Sequence, residues 1–291
     1  MVFSAAAFSG KAIVIKLAYR LGVDAVTLLA LRMVLSAPFF LLLAWWTTRG
    51  GRGAPLSGRD WGTIAFLGII GYYLASLFDF LGLQYITAAL ERLVLFLYPT
   101  FVLLIAAARY GRRVSGRDVA ALLLSYAGIG LVFANDLARR QENVLLGAFW
   151  VLLSALCYAV YLIGNGRMVA RMGSVRFASL AGLVSCAGVV GHFLVVREAS
   201  LLWTQAPPVY WLSLVMALFS TVLPIVLMSE GIRLIGSTHA SLAGTVGPVA
   251  TIALGFVFLD EPITAIQVAG AALVMGGVLA ISLARPASKP A

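Results

Sequence analysis

Long runs of apolar residues alternate with short polar segments along the whole chain. Each run approaches the roughly 20 residues that a helix needs to cross the hydrocarbon core of a bilayer. Because a backbone in lipid must satisfy its own hydrogen bonds, long unbroken runs favour helices over the short alternating strands of a barrel. The pattern predicts ten transmembrane helices, within Met1–Ala18, Val26–Trp46, Trp61–Leu81, Ala88–Ala108, Val119–Ala134, Leu146–Gly166, Phe177–Val196, Val209–Met228, Thr238–Phe258 and Ile266–Ala284.

The composition agrees with a membrane protein. Of the 291 residues, 62% are hydrophobic and 11% are charged. Soluble domains are about 45–50% apolar, and disordered chains are less apolar still, so both classes are excluded. The net charge of +10 does not indicate nucleic acid, because most basic residues lie in short segments between the runs. No basic segment precedes the first run, which we therefore expect to be a span and not a cleaved signal peptide.

The distribution of Lys and Arg predicts the orientation. Short cytoplasmic loops of membrane proteins accumulate these residues. With a cytoplasmic N-terminus, 13 basic residues fall in inner segments and 5 in outer ones. We expect a multi-pass protein of the inner (plasma) membrane with both termini in the cytoplasm. The inner residues are Arg49, Arg52, Arg59, Arg109, Arg112, Arg113, Arg117, Arg167, Arg171, Arg176, Arg233, Arg285 and Lys289, and the outer ones are Lys16, Arg20, Arg139, Arg140 and Arg197.

The two halves of the chain show a weak internal repeat. A shift of 149 residues places Gly82 on Gly231, Ile86 on Ile235, Pro99 on Pro248, Ala120 on Ala269 and Gly128 on Gly277. Because each half carries five spans, an odd number, the second half crosses the membrane in the opposite sense. We therefore predict an all-α polytopic membrane protein of two inverted five-helix repeats, residues 1–140 and 141–291.

Several stretches of the chain lie where a known family has its motifs. They are Phe8–Lys11, Ile15-Lys16, Asp24–Leu28, Leu31-Arg32, Gly82-Leu83, Ala88, Pro99, Gly231, Ser237–Ala240, Pro248, Glu261, Thr264, Gln267, Gly270 and Gly277. On these residues the chain resembles the EamA-type branch of the drug/metabolite transporter superfamily. The resemblance covers essentially the whole chain and implies a secondary transporter of small metabolites such as amino acids. Within it, departures from the family pattern are Phe8, Lys11, the Glu91–Arg92 pair and Arg112, which stands where the second half has Glu261.

Four charged residues fall inside predicted spans, where charge is costly and therefore a sign of function. Lys11, Arg32, Glu91 and Arg92 all map to the outer half of the first repeat, and Asp79 is a fifth candidate. Their positive excess suits an anionic group of a substrate. The alternative is structural: Glu91 pairs with Lys11 or Arg32, and the remaining side chains extend to the outer surface. With three cations in reach, we expect Glu91 to stay ionised.

Aromatic, proline and glycine positions complete the candidate site. Pro99 and Pro248 interrupt backbone hydrogen bonding and are candidates for gating or for static kinks. Tyr98, Tyr158 and Tyr161 are candidates for substrate contact, although aromatic residues in membranes also serve packing. We expect the glycines near Gly128 and Gly277 to pack helices together. His192, His239 and the two cysteines, Cys157 and Cys186, are expected to be structural, with both thiols free.

These observations predict an exporter of small organic metabolites that works by alternating access. An exchanger or importer of phosphorylated or nucleotide-linked solutes is the first alternative, and a membrane-embedded enzyme or a sensory protein is more distant. We expect no enzyme activity, because the sequence contains no Walker-type phosphate loop and no cluster of metal ligands. The expected partners are a small-molecule substrate and lipid, with no cofactor and no nucleic acid, in a monomer or homodimer.

Overall fold

The computed structural model describes residues 2–49, 55–110, 115–138, 143–224 and 246–283. Within these ranges the chain is helical, and strands are absent. The helices are α1 Val2–Arg20, α2 Ala25–Thr48, α3 Gly58–Leu67, α4 Ala75–Gly82, α5 Ala88–Leu95, α6 Tyr98–Tyr110, α7 Gly116–Ala138, α8 Val144–Met172, α9 Ser174–Val196, α10 Pro207–Val215, α11 Val246–Leu259 and α12 Ala265–Leu283.

Two helices continue through π-helical segments. Gly68–Leu74 joins α3 to α4, and Met216–Val222 extends α10. π-Helical turns within α-helices are rare and are frequently found at functional sites. The helix starts Gly58 and Pro207 are 149 positions apart, as are Gly116 and Ala265, so the helices keep the spacing of the sequence repeat.

Six helical stretches of the described chain are long and apolar enough to cross a membrane, and three shorter apolar helices accompany them. Helix α1 has suitable length but carries three basic residues, Lys11, Lys16 and Arg20. The six long stretches are Ala25–Thr48, Gly58–Gly82, Ala88–Arg109, Gly116–Leu137, Val144–Met172 and Ser174–Val196.

Polar caps define where several helices begin. Ser57 and Asp60 form a reciprocal capping box at the start of α3, and the Ser115–Asp118 pair repeats the arrangement at α7. Thr264 and Gln267 do the same for α12. Such caps satisfy backbone N–H groups that have no partner within the helix. The Thr264-x-x-Gln267 pattern therefore has a structural explanation.

Helices α7 and α12 pack at close range through glycines, and we call this contact the glycine interface. A Cβ atom added at Gly128 would lie 2.5 Å from the Gly270 carbonyl oxygen, and one added at Gly270 would lie 2.6 Å from the Gly128 carbonyl oxygen. A Cβ at Gly277 would likewise collide with Ser125 and with the Ala121 carbonyl. The expectation that these glycines pack helices together is confirmed.

Successive long helices run in alternate directions, so the molecule has two ends. The Arg20 end contains the end of α1, the start of α2 and the end of α11. At this end, Arg197 after α9 forms an ion pair with Asp24 before α2, with Nε and Oδ1 3.3 Å apart. The Arg109 end contains the start of α3, the end of α6 and the end of α8. Here Arg171 pairs with Asp60 at 2.9 Å.

Candidate functional site

Five charged side chains from four helices lie together between the two ends, and we call them the charge cluster: Lys11, Arg32, Asp79, Glu91 and Arg92. All five are at least 93% buried. The Nζ of Lys11 lies 2.6 Å from Asp79 Oδ2. With Lys11, Arg32 and Arg92 against two carboxyl groups, the formal sum is +1. Because desolvating a charge is expensive, five buried charged groups in one place indicate a functional site.

Glu91 occupies an unusual position in the charge cluster. Its side chain is fully buried, and neither carboxyl oxygen accepts a hydrogen bond from the described side chains or backbone. The carboxyl group of Asp79 and the cations of Lys11 and Arg92 are close enough to interact with it electrostatically. The expected pairing of Glu91 with Lys11 or Arg32 is therefore wrong in detail, because Lys11 pairs with Asp79 instead.

The two arginines of the cluster have different surroundings. Arg92 donates a 3.2 Å hydrogen bond to the Ser9 hydroxyl, which itself donates to the Gly247 carbonyl oxygen at 3.0 Å. Arg92 thus connects α5 to α1 and to α11 of the second half. The guanidinium of Arg32 lies 4.8 Å from the centre of the Phe80 ring, and its Nε has no hydrogen-bond partner among the described residues. Neither arginine extends to the surface, which contradicts the structural alternative for these residues.

The helix that carries Glu91 and Arg92 is discontinuous. Helix α5 begins at a Thr87 cap, and it ends at Leu95, before α6 starts at Tyr98. Pro99 is the second residue of α6, where its missing N–H leaves the Leu95 carbonyl without the usual helical donor. The break therefore lies one turn from Arg92. Pro248 is the third residue of α11, and residues 225–245, which precede this helix, are outside the described part of the chain.

A row of aromatic side chains extends from the charge cluster towards the Arg109 end. Tyr98 and Tyr158 meet edge to face with ring centres 5.1 Å apart, and Tyr158 stacks on Tyr161 at 5.9 Å. The hydroxyl oxygens of Tyr161 and Tyr72 lie 2.9 Å apart. The three tyrosines predicted to contact substrate are therefore neighbours, and they adjoin the cluster through Arg92, which lies close enough to Tyr158 for electrostatic interaction.

A cleft opens beyond the aromatic row at the Arg109 end. It has a volume of about 400 Å³ and lies between α3, α6 and α8. Its walls are mostly apolar, and Arg109 and Arg167 are among the residues that line it. Leu67 and Gly164, which lie near Tyr161 in the bundle, also line the cleft. The Arg109 end therefore has an open, mostly apolar cleft with two basic residues among those that line it.

The Arg20 end is closed above the charge cluster by contacts between the two halves. Lys16 lies 3.1 Å from Glu261 Oε1 and donates a 2.7 Å hydrogen bond to the Ile86 carbonyl oxygen. Glu261 also accepts a 3.2 Å hydrogen bond from the backbone N–H of Ala88. Arg20 donates to the Leu259 carbonyl oxygen. We call the contacts among Lys16, Ile86, Ala88 and Glu261 the Lys16 bridge.

Sequence reasoning missed three polar residues near the site. The charge pattern places Lys16 in an outer segment. Ser9 stands out in the sequence only as part of a motif, although its hydroxyl joins α1, α5 and α11. Asp136 is fully buried on α7 and accepts a 2.6 Å hydrogen bond from Thr87. Asp136 lies two residues beyond the predicted end of its apolar run, at Ala134, so nothing in the sequence indicates that it is buried or that Thr87 is its partner.

The remaining predicted residues have structural surroundings. His192 packs against the Tyr73 ring at 5.9 Å. Cys157 and Cys186 are free thiols, as expected, and Cys186 contacts the Met33 carbonyl oxygen. Gly130 has open space beside it and takes no part in the glycine interface. Among the described residues, groups of His, Cys, Asp and Glu that could hold a metal ion are absent. His239 and Arg112 lie outside the described residues, and so does the side chain of Phe8.

Comparisons with known proteins agree with this architecture. The model of the EamA-like transporter family matches residues 1–134 and 145–283. A Bacillus subtilis (strain 168) protein named "Uncharacterized transporter YcbK" is 32% identical over 267 residues, which cover 90% of this chain and 85% of that one. A second, "Uncharacterized transporter YcxC" of the same strain, is 28% identical over 255 residues, covering 81% and 78% of the two chains. A solved structure titled "Crystal structure of protein" has the same fold, with a TM-score of 0.64, 18% identity and 96% coverage of each chain.

Proposed function

The chain belongs to the EamA-like transporter family, part of the drug/metabolite transporter superfamily, and on that premise we propose that it is a secondary transporter that exports small organic metabolites such as amino acids. The observation that carries the proposal is the charge cluster. Buried charge is retained in a membrane protein where it serves a solute or an ion. The cluster lies beside a broken helix and at the end of an aromatic row, as expected for a solute site near the membrane midplane.

In this proposal the substrate binds through two kinds of contact. Lys11 and Arg92 receive its carboxylate: Arg92 lies against Ser9 and, through it, α11, and Lys11 is the neighbouring buried cation beside Asp79. Tyr98, Tyr158 and Tyr161 supply the wall on which its apolar part packs. Arg32 and Glu91 do not contact the substrate in this proposal, but their charges contribute to the net charge of the site. The substrate would then have one charged contact and one apolar contact, which is how small-molecule sites fix orientation.

We further propose that the molecule has an inward-facing form in this structure. The excess of Lys and Arg in the segments of the Arg109 end supports a cytoplasmic location for that end. There the cleft admits solute, while the Lys16 bridge closes the opposite end. The ten spans would then form two inverted five-helix repeats, 1–140 and 141–291. The equal spacing of helix starts and the paired π-helical segments support this division. Pro99 and Pro248 would allow the helices to bend as access alternates.

The test is efflux from proteoliposomes loaded with a mixed pool of L-amino acids and organic acids. Solutes that leave would be identified by mass spectrometry, with and without a pH gradient, in wild-type protein and in Lys11→Ala. We expect selective efflux that Lys11→Ala abolishes and that the exposed-surface variant Arg59→Ala retains. Efflux that is equal in wild type and Lys11→Ala would overturn the role of the charge cluster.

An exchanger of phosphorylated solutes is the second candidate, favoured by the net positive charge of the cluster and by the two arginines of the cleft. It predicts no efflux of amino acids but exchange of labelled phosphate esters across the same proteoliposomes. Both candidates require a transporter and no enzyme chemistry. The absence of any transported solute, from folded protein, would contradict both.

A further inference from the structure

The π-helical segment Gly68–Leu74 packs against the aromatic row through a glycine. Gly71 is the middle residue of this segment, and the side chain of Tyr161 on α8 occupies the space where a side chain of residue 71 would lie. A Cβ atom added at Gly71 would overlap Cγ and Cδ2 of Tyr161 and would lie 2.6 Å from its Cβ. Cβ atoms in proteins essentially never come within 3.0 Å of a non-bonded atom. The position of Tyr161 therefore requires glycine at residue 71.

The segment itself has no room to move away from Tyr161. On the side of α9, a Cβ added at Gly68 would lie 2.6 Å from the Ala181 carbonyl oxygen, so the two backbones are already in contact. On the side of α8, the Ser154 hydroxyl donates a 2.7 Å hydrogen bond to the carbonyl oxygen of Ala75, the residue after the segment. Because protein interiors are close-packed, a side chain added between these contacts has to displace Tyr161 and the turn of α8 that carries it.

A displacement of Tyr161 reaches the other tyrosines of the aromatic row. The Tyr161 ring stacks on Tyr158 with ring centres 5.9 Å apart, and Tyr158 meets Tyr98 edge to face at 5.1 Å. Tyr161 also stacks on Phe177 at 6.2 Å, and its hydroxyl oxygen lies 2.9 Å from that of Tyr72. Aromatic neighbours surround the ring, so a Tyr161 that moves away from the π-helical segment also shifts the tyrosines of the row.

We propose that Gly71 is a positioning residue that sets the size of the side chain that the transporter accepts, because it lets Tyr161 lie back against the π-helical segment. This inference rests on the proposed function, in which Tyr98, Tyr158 and Tyr161 form the wall for the apolar part of the substrate. Glycine keeps that wall recessed, and the site takes L-amino acids with large apolar side chains. Gly71→Ala moves the wall inwards and restricts the site to small ones.

Ligand binding to the purified full-length protein tests the proposal. A ligand that binds the folded state raises the unfolding temperature by an amount that depends on its concentration relative to Kd, so L-alanine, L-leucine and L-phenylalanine can be compared directly. We expect Gly71→Ala to weaken binding of L-leucine and L-phenylalanine about tenfold or more, the scale of one methylene group in an apolar pocket, and to leave binding of L-alanine nearly unchanged. Gly62→Ala is the matched control on α3, because open space lies beside Gly62. The same change for all three amino acids, or no change for any, would overturn the proposal.

A double-mutant cycle separates the placement of Tyr161 from a general loss of fold. Tyr161→Gly removes the three nearest atoms that a Cβ at residue 71 would meet. In the Tyr161→Gly background, Gly71→Ala should therefore leave the ratio of the affinities for L-alanine and L-leucine unchanged, and the double variant should fold even if Gly71→Ala alone does not. A ratio that shifts by the same factor in both backgrounds, or a double variant that does not fold, would show that the glycine serves another contact and would overturn the proposal.

Efflux distinguishes this inference from the proposed function. Proteoliposomes loaded with equal amounts of the same three amino acids should release L-leucine and L-phenylalanine more slowly, relative to L-alanine, with Gly71→Ala than with wild type. Wild-type ratios of efflux in Gly71→Ala would contradict the inference and leave the export function intact. Size-dependent binding that Gly71→Ala alters, together with no efflux, would contradict the export function and support the role of Gly71. A wild type that neither binds nor releases any of the three would contradict both.

Discussion

The glycine interface and the charge cluster are two ways of packing helices in a membrane, and they have opposite physical characters. At the glycine interface, α7 and α12 approach until Gly128 and Gly270 meet backbone to backbone. Close packing of this kind is a main source of stability between helices in lipid. At the charge cluster, five charged groups are removed from water beside a broken helix. Removing charge from water weakens the fold unless every group is compensated.

This difference indicates a division of labour between scaffold and site. Helices joined by small residues form one rigid arrangement, because any separation loses many van der Waals contacts at once. Helices joined by paired charges can exchange one partner for another, and a solute with the right charges can take part in that exchange. We infer that α7 and α12 stay fixed while α1, α5 and α11 change their contacts during transport.

The largest predicted effect follows from breaking the compensation within the charge cluster. Lys11→Met leaves the buried Asp79 without its cation, and removing one partner of a buried ion pair costs about 3–5 kcal/mol. Lys11→Met combined with Asp79→Asn removes both partners and should recover most of that loss. Thermal unfolding of the two purified variants measures the difference. Equal destabilisation of the single and double variants would contradict the pairing.

The glycine interface should respond to size and not to charge. Gly270→Val places new atoms against the Gly128 carbonyl oxygen, and overpacking of this kind costs about 1–3 kcal/mol. Gly130→Val is the matched control on the same helix pair, because open space lies beside Gly130. We expect a lower unfolding temperature for Gly270→Val alone. Comparable losses in both variants would mean that helix propensity, and not close approach, sets the cost.

The Lys16 bridge closes the Arg20 end over the charge cluster, so weakening it should open that end without unfolding the protein. Lys16→Met removes a partly exposed ion pair worth up to about 1 kcal/mol. A change of 1 kcal/mol alters a two-state population about fivefold. Maleimide labelling of Ala88→Cys, in a background with Cys157 and Cys186 replaced by Ala, should quicken by up to that factor. Arg59→Met should leave the labelling rate unchanged, and an unchanged rate in Lys16→Met would show that the bridge does not hold this end closed.

The smallest predicted effect concerns the Asp24–Arg197 pair at the same end. Partial burial by itself raises the pKa of Asp24, but hydrogen bonds from Thr27, the Arg197 guanidinium and the Val26 N–H outweigh it, and the pKa is held below its usual 3.8. Asp24 therefore stabilises the fold above that pH, and the contribution is lost as the pH falls through the lowered value. Both side chains are more than a third exposed, so the contribution stays below about 1 kcal/mol after solvent screening.

Asp24→Asn checks this sign, since asparagine also caps helices well and only the charge is lost. Wild type should unfold at a slightly higher temperature than Asp24→Asn at neutral pH, and the two should converge in acid. A difference that grows as the pH falls would contradict the direction of the pKa shift.

The sequence predicted the structure correctly where the membrane allows a type of residue only one structural role. Long apolar runs become helices, and Gly128 and Gly277 become close contacts, because a membrane leaves few alternatives. It failed where the outcome depends on which of several similar groups are nearest. Lys11 had two carboxyl groups within reach, and its choice of Asp79 depends on the packing of α1 against α4. The Lys16 bridge depends in the same way on where two distant segments meet.

The most direct test of the account measures transport in a protein whose charge cluster is removed but whose fold is preserved. Lys11→Met combined with Asp79→Asn is that protein, provided that its unfolding temperature matches the prediction above. Efflux of the L-amino-acid pool from proteoliposomes should be lost in this double variant and retained in Gly130→Val. Wild-type rates of efflux from the double variant would contradict the claim that the buried charges form the substrate site.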